Sequence, residues 1–297
     1  MIVNSAETTI LSIAKSKVSD YAAFTKARLT ILVVISAIIG YAIGATHFSW
    51  MQVFWLSISG YMITGASNGF NQIIEKDIDA LMTRTENRPL PTGRMSVTEG
   101  LILAIAMALG GLIILYFSFN SLSAVLGALA LFSYVLIYTP MKKHSPWAVF
   151  AGAFPGAIPP MLGYVAATGV FDLYAGLLFA VQFMWQFPHF WAIAWVADKD
   201  YKKAGYRLLP SKGGKNMQSA FLTLLYTLFL IPVALLPWAF NLMGDVAAWC
   251  AAFAGMLFAV PALKLYFKRT DKAAKAVMFA SFFYLPVVQI IFLLDKV

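Results

Sequence analysis

Charge is what this sequence has least of. Only 12% of its 297 residues are Asp, Glu, Lys or Arg, about half the roughly 25% of an ordinary soluble domain. With 61% hydrophobic residues and a mean hydropathy of +0.76, a soluble globular fold is excluded. Cysteine is nearly absent too. Cys250 stands alone, which rules out an intrachain disulfide framework or a cysteine-based zinc site; within an apolar stretch it is expected to be a small packing residue. Long polar segments are also missing, so no second soluble domain fits, and residues 1–28 lack the apolar core and small-residue exit of a cleavable leader.

What is present is a succession of apolar runs, each near the 20 or so residues that cross about 30 Å of hydrocarbon. They fall at 29–46, 51–71, 99–118, 122–139, 147–168, 173–196, 217–238, 246–265 and 276–294. The expectation is an all-α polytopic membrane protein, with nine transmembrane helices around a cytoplasm-facing cavity in residues 29–297. Ahead of it, residues 1–28 read as a cytoplasmic segment, with Ile10, Leu11, Ala14, Val18 and Tyr21 beside Lys15 and Lys17 suggesting an amphipathic interfacial helix. Pro155, Pro159 and Pro160 in the fifth run and Pro188 in the sixth predict kinks or interruptions whose freed carbonyls need neighbouring donors.

Basic residues set the orientation. Of the 22 Lys and Arg, 21 lie before the first run, in the loops after runs 2, 4, 6 and 8 or, for Lys264, at the end of run 8; only Lys296 lies elsewhere. By the positive-inside rule the N-terminus is cytoplasmic and the C-terminus lies on the opposite, periplasmic side. The net charge of +9 therefore reports sidedness and an attraction to anionic lipids or substrates, not a nucleic-acid partner.

The two longest loops, 72–98 and 197–216, each open on acids. At 100° per residue, Asn71, Glu75 and Asp79 drift by only about 40° per step and form one stripe, while Asp77 falls on another face. A carbonyl followed by two carboxylates suits a hard cation such as Mg²⁺, which keeps several waters and accepts phosphate oxygens. A solvated helix end balanced by Arg84 and Arg88 would carry the same residues. Asp198 and Asp200, at a second helix end in the same leaflet, favour a shared metal-bridged anion such as a diphosphate, neutralised by Arg84, Arg88, Lys142 and Lys143. His189 lies about 13 Å deeper than Asp198 on the same helix. It sits among Trp185, Phe187, Phe190, Trp191 and Trp195, either as a hydrogen-bonded structural residue or as part of a large pocket wall.

The run from Asn71 to Asp79 continued by MTRTENRPLPTGR to Arg94, with YTPMKKHSP at 138–146, GAIPPMLGYVAATG at 156–169, PHFWAIAW from Pro188 and DYKKAGYRLLP to Pro210, resembles the signatures of the intramembrane prenyltransferases. The likeness is to their heme-modifying, protoheme IX farnesyltransferase branch. TKARLT at 25–30 resembles the segment that opens helix 1 in that branch, with Ala27 in place of its usual Pro, Ala148 replaces a commonly polar residue, and the second acidic motif is sparse.

The resemblance implies transfer of farnesyl from farnesyl diphosphate to the C2 vinyl group of heme b, and a short N-terminal segment without an Arg-rich transit pattern favours a bacterial inner membrane as the expected place. The resemblance also implies Mg²⁺ held with diphosphate by Asn71, Glu75, Asp79 and Asp198 or Asp200. Arg84, Arg88, Lys142 and His189 are then expected to act catalytically, and Lys26, Arg28, Arg94, Lys143 and Trp185 to bind substrate. A heme A-forming enzyme or a terminal oxidase is the implied partner. Prenylation of a quinone precursor such as 4-hydroxybenzoate and ion-coupled transport are the competing readings. The transporter reading expects acids near mid-membrane, whereas these lie at helix ends.

Overall fold

The computed structural model describes residues 16–296 and contains helices but no strand among them. Residues 16–24 are helical, and nine long helices follow. These are α1 (Ala27–Gly44), α2 (Trp50–Ile74), α3 (Val97–Ser118), α4 (Ser121–Met141), α5 (Ala148–Thr168), α6 (Leu173–Val196), α7 (Met217–Ala239), α8 (Asp245–Lys268) and α9 (Asp271–Leu294). All nine lie where the apolar runs predict them. The largest shift is at α9, which starts five residues before its run because Thr270 caps a polar first turn, its side chain accepting from Ala273 N.

Seven of the nine are long and apolar enough to cross a membrane; α2 and α6 are long enough but less apolar. These two helices end on the acids, and they carry Asn68, Asn71, Gln72, Gln182, Gln186 and His189, all buried in the bundle. Their polarity faces inward. The outer surface is apolar, with Phe117, Trp50 and Leu294 about 80% exposed, as lipid contact requires and water would penalise. Cys250 belongs to that outer surface, so the expected packing role is corrected: it faces outward.

The prolines do not interrupt α5 or α6, both of which are continuous. Pro160 leaves the Gly156 carbonyl without its helical donor, and Gln182 Nε2 of α6 supplies one at 3.3 Å. Gln186 Nε2 reaches the Ala153 carbonyl at 2.8 Å. The irregular helix is instead α4, whose turn Ser133–Tyr138 is π-helical. Helices α1 and α5 touch backbone to backbone: a Cβ at Gly40 would strike the Pro160 carbonyl, and one at Gly163 the Ala37 carbonyl.

The N-terminal segment is tied to α2. Gln72 Nε2 donates to the Ala23 and Phe24 carbonyls at 3.0 and 2.7 Å, Asn68 Nδ2 to the Thr25 carbonyl at 3.2 Å, and Phe24 is fully buried, worth about 1.5–3 kcal/mol. Lys17 and Tyr21 bond Glu99 of α3. The predicted interfacial helix lies partly outside the described residues.

Candidate active site

Where the C-terminal end of α2 meets α4, the short helical turn Lys76–Asp79 carries the acid stripe onward. Asn71, Glu75 and Asp79 are all within 3% of complete burial, whereas Asp77 is exposed, as the helical spacing predicts. Buried carboxylates must be paired, and each here meets a cation. Lys142 Nζ donates to Glu75 Oε2 at 2.7 Å, and Arg88 NH1 to Asp79 Oδ2 at 2.6 Å. Lys26 Nζ reaches Asn71 Oδ1 at 3.4 Å.

Three cations therefore face two carboxylates. Dehydration, with the charges of Arg88 and Lys142 beside it, lowers the Lys26 ammonium to about 7. Dehydration also lowers Lys142, against the pull of Glu75. A centre so short of negative charge is built to receive an anion. Lys26 has the left-handed backbone φ of 49°, uncommon for a residue with a side chain. That geometry turns the chain from the N-terminal segment into α1 where its ammonium meets Asn71.

Tyr206 completes the centre and escaped the sequence reading. Its hydroxyl donates to Glu75 Oε1 at 2.9 Å; burial and the Glu75 charge raise its pKa and keep it a donor. The YRLLP run contains it, but nothing local to that run shows that it reaches a carboxylate 131 residues away. Thr139 was missed too: Asn71 Nδ2 donates to its Oγ1 at 3.2 Å. Lys142 also lies 5.0 Å from the Tyr138 ring and 5.6 Å from that of Tyr206, within cation–π range.

The second acidic end is different. Asp198 pairs with Lys202 one turn on, at 2.8 Å. Asp200 accepts from the Arg84 backbone N–H at 3.2 Å and lies 3.4 Å from Lys203, whose Nζ also donates to Thr83 Oγ1 at 2.8 Å. Asp200 thus latches the loop after α2 to the loop after α6. Arg84 is exposed and stands 5.9 Å from the Tyr201 ring. Among the described residues, no three His, Cys, Asp or Glu side chains converge to hold a metal ion; the buried acids Glu75 and Asp79 and the pair Asp198 and Asp200 sit at two separate helix ends.

Other expected site residues also lie elsewhere. Arg94 is held outside the centre by Asp20 at 2.8 Å and the Asn87 carbonyl at 2.8 Å. Arg28 and Lys143 are exposed. His189 Nδ1 lies 2.7 Å from Ser281 Oγ of α9 and its ring stacks on Trp185 at 4.5 Å, while Trp185 Nε1 donates to the Ser281 carbonyl at 2.8 Å. Both side chains pin α6 to α9. Since Ser281 Oγ donates its own proton to the Met278 carbonyl at 2.6 Å, the His189 proton belongs on Nδ1.

One observation bears on a metal. Asp79 Oδ1 is buried and has no hydrogen-bond partner, an arrangement that costs free energy unless something binds there. With Asn71 Oδ1 and Glu75 it offers oxygen donors of the type Mg²⁺ takes, and too few to complete six-coordination, as expected when water and phosphate supply the rest.

The UbiA prenyltransferase family pattern matches residues 33–285. The protoheme IX farnesyltransferase of Flavobacterium psychrophilum is 46% identical over 290 residues, covering 95% of this chain and 96% of that one. That of Cytophaga hutchinsonii is 45% identical over 285 residues, covering 95% and 99%. Among solved structures, a digeranylgeranylglyceryl phosphate synthase aligns with a TM-score of 0.78 at 19% identity, over 95% of this chain and 99% of that one. A UbiA homolog from Archaeoglobus fulgidus bound to DMAPP and Mg²⁺ aligns with a TM-score of 0.67 at 15% identity, over 92% and 99%. At those identities the structures show the fold, and the near-full-length sequence matches show the kinship: this multi-pass membrane chain belongs to the UbiA prenyltransferase family.

Proposed function

We propose that the chain transfers the farnesyl group of farnesyl diphosphate to the C2 vinyl group of heme b, giving heme O, at the cytoplasmic face of a bacterial inner membrane. The observation that carries this reading is the 45–46% identity, over 95% of the chain, to proteins named protoheme IX farnesyltransferase. The buried centre supports it because its cations outnumber its acids, which favours a diphosphate over a neutral substrate.

Asn71, Glu75 and Asp79 would hold Mg²⁺ together with the diphosphate. The metal when bound supplies Lewis-acid withdrawal of charge from the leaving group. Lys142 and Arg88 hold Glu75 and Asp79 in this structure and are placed to donate to phosphate oxygens as charge develops on them. Lys26 adds a third donor from the start of α1. In the transfer, the C1–O bond of the allylic diphosphate breaks and its electron pair leaves with the diphosphate. The vinyl π pair of the porphyrin forms the new C–C bond, and the cation left next to the ring takes up water and loses a proton to become the alcohol. Heme O so formed is substrate for a heme A-forming enzyme or prosthetic group for a terminal oxidase.

Membranes containing the protein, incubated with farnesyl diphosphate, heme b and Mg²⁺, are expected to yield heme O by mass analysis of extracted hemes, and none after chelation of Mg²⁺. No heme O beside an active positive control would overturn the reading.

A further inference from the structure

A cavity of about 1360 Å³ opens beside the acid centre between the loop that follows α4 and the loop that follows α6. It exceeds the about 300–1,000 Å³ of ordinary ligand pockets. None of Asn71, Glu75 or Asp79 lines it. Its rim carries Lys143, Arg207 and Lys212, all exposed and none within an ion pair among the described residues. Its one carboxylate, Asp198, is already paired with Lys202.

The wall behind that rim is aromatic. Phe187 and Trp191 of α6 pack on Tyr226 of α7, with ring centroids 5.0 and 4.9 Å apart, and Phe150 of α5 stands 6.1 Å from Phe187. The loop forming the outer lip is fixed: Ser211 Oγ and Ser219 Oγ lie 2.8 Å apart, and Ser219 Oγ donates to the Gly214 carbonyl at 2.7 Å. Tyr206 joins the two sites, since it lines this cavity while its hydroxyl bonds Glu75. Lys142 and Lys143 likewise sit on opposite sides of the partition.

We propose that this cavity is the docking site of the acceptor, a porphyrin dicarboxylate. It rests on the heme-farnesylating reading above. Unpaired cations at a water-facing rim suit two ionised propionates, and the packed rings suit a large flat apolar body. A diphosphate, which travels with Mg²⁺, finds no free carboxylate here to share a metal; its place is the acid centre. The porphyrin edge nearest Tyr206 then lies against the Glu75–Lys142 side, where the vinyl group meets the allylic carbon.

The test is a Soret titration of purified protein with heme b and with its dimethyl ester, without Mg²⁺ or farnesyl diphosphate, on the wild type and on a Lys143→Glu/Arg207→Glu/Lys212→Glu variant. The expected result is at least a tenfold weaker affinity for heme b in the variant and for the ester in the wild type. In turnover, the variant's KM for heme b rises while its KM for farnesyl diphosphate stays unchanged. Equal heme affinity in both proteins, or equal affinity of the wild type for heme b and its ester, overturns the proposal. Loss of bound phosphatidylglycerol from the variant with heme affinity intact also overturns it, in favour of a lipid headgroup. If the wild type makes heme O and only these shifts fail to appear, the docking site is wrong and the reaction stands; if no heme O forms, the reaction itself is wrong.

Discussion

Two helix ends of this protein carry nearly the same letters and sit in different surroundings. After α2, Glu75 and Asp79 are buried, Glu75 held by Lys142 from beyond α4 and Asp79 by Arg88 nine residues on in its own loop. After α6, Asp198 and Asp200 are partly exposed, and their cations, Lys202 and Lys203, lie within one turn. Charge pairs in a dry site are strong and costly to break, whereas solvated i,i+4 pairs contribute little. The first arrangement therefore concentrates its field in a dry site. The second, through Asp200 and the Arg84 N–H, holds two loops together around it.

Substitution at Glu75 should separate the two ends most sharply. Glu75→Gln leaves the Lys142 ammonium buried without its counter-charge, and a loss of about 3–5 kcal/mol of stability is expected, with heme O formation down by more than about 100-fold. A Glu75→Met/Lys142→Met double variant should recover much of the thermal stability in detergent and none of the activity. Activity within tenfold of wild type in Glu75→Gln would break the distinction. Asp79→Asn comes next. It removes the charge of the proposed metal ligand while preserving shape, so kcat should fall about 100-fold and the Mg²⁺ concentration for half-maximal rate should rise. Unchanged turnover at limiting Mg²⁺ would remove Asp79 from the metal site.

The contrast between the ends was only half legible in the sequence. Positions of α1–α9 follow from apolar runs, and the Asn71–Glu75–Asp79 stripe follows from helical periodicity, because both are local consequences of backbone geometry. Partners are not local. Tyr206 reaches Glu75 across 131 residues, and Ser281 meets His189 across 92; packing of α6, α7 and α9 decides those distances. For that reason the sequence shows the acids at Asp198 and Asp200 and the rings of Trp185 and His189, but not that Asp200 meets the Arg84 N–H or that both rings meet Ser281 of α9. The π-helical turn of α4 has no residue signature either, yet it precedes Thr139 and Lys142, two groups of the centre, as such turns often do.

Asp200→Asn tests the latch. The Arg84 N–H keeps an oxygen acceptor while Lys203 loses its counter-charge, a solvated pair that contributes little to stability, so the expected effect is a fall in activity of about three- to tenfold, with faster proteolysis of the loop around Arg84. A fall as deep as that of Asp79→Asn would place Asp200 in the metal chemistry and erase the comparison.

The smallest effect belongs to Asp77→Asn, which is also the most exacting control. Asp77 lies two residues from both Glu75 and Asp79, has the same charge and enters the same short helical turn, so any account based on the overall acidity of this segment predicts that its loss will hurt. The helical account predicts otherwise: Asp77 points away from the stripe, is exposed, and interacts with the site only through water, where a charge is worth little. Heme O formation and Mg²⁺ dependence within about twofold of wild type are expected. A larger loss would mean that the site reads the summed charge of the segment instead of the geometry of one face.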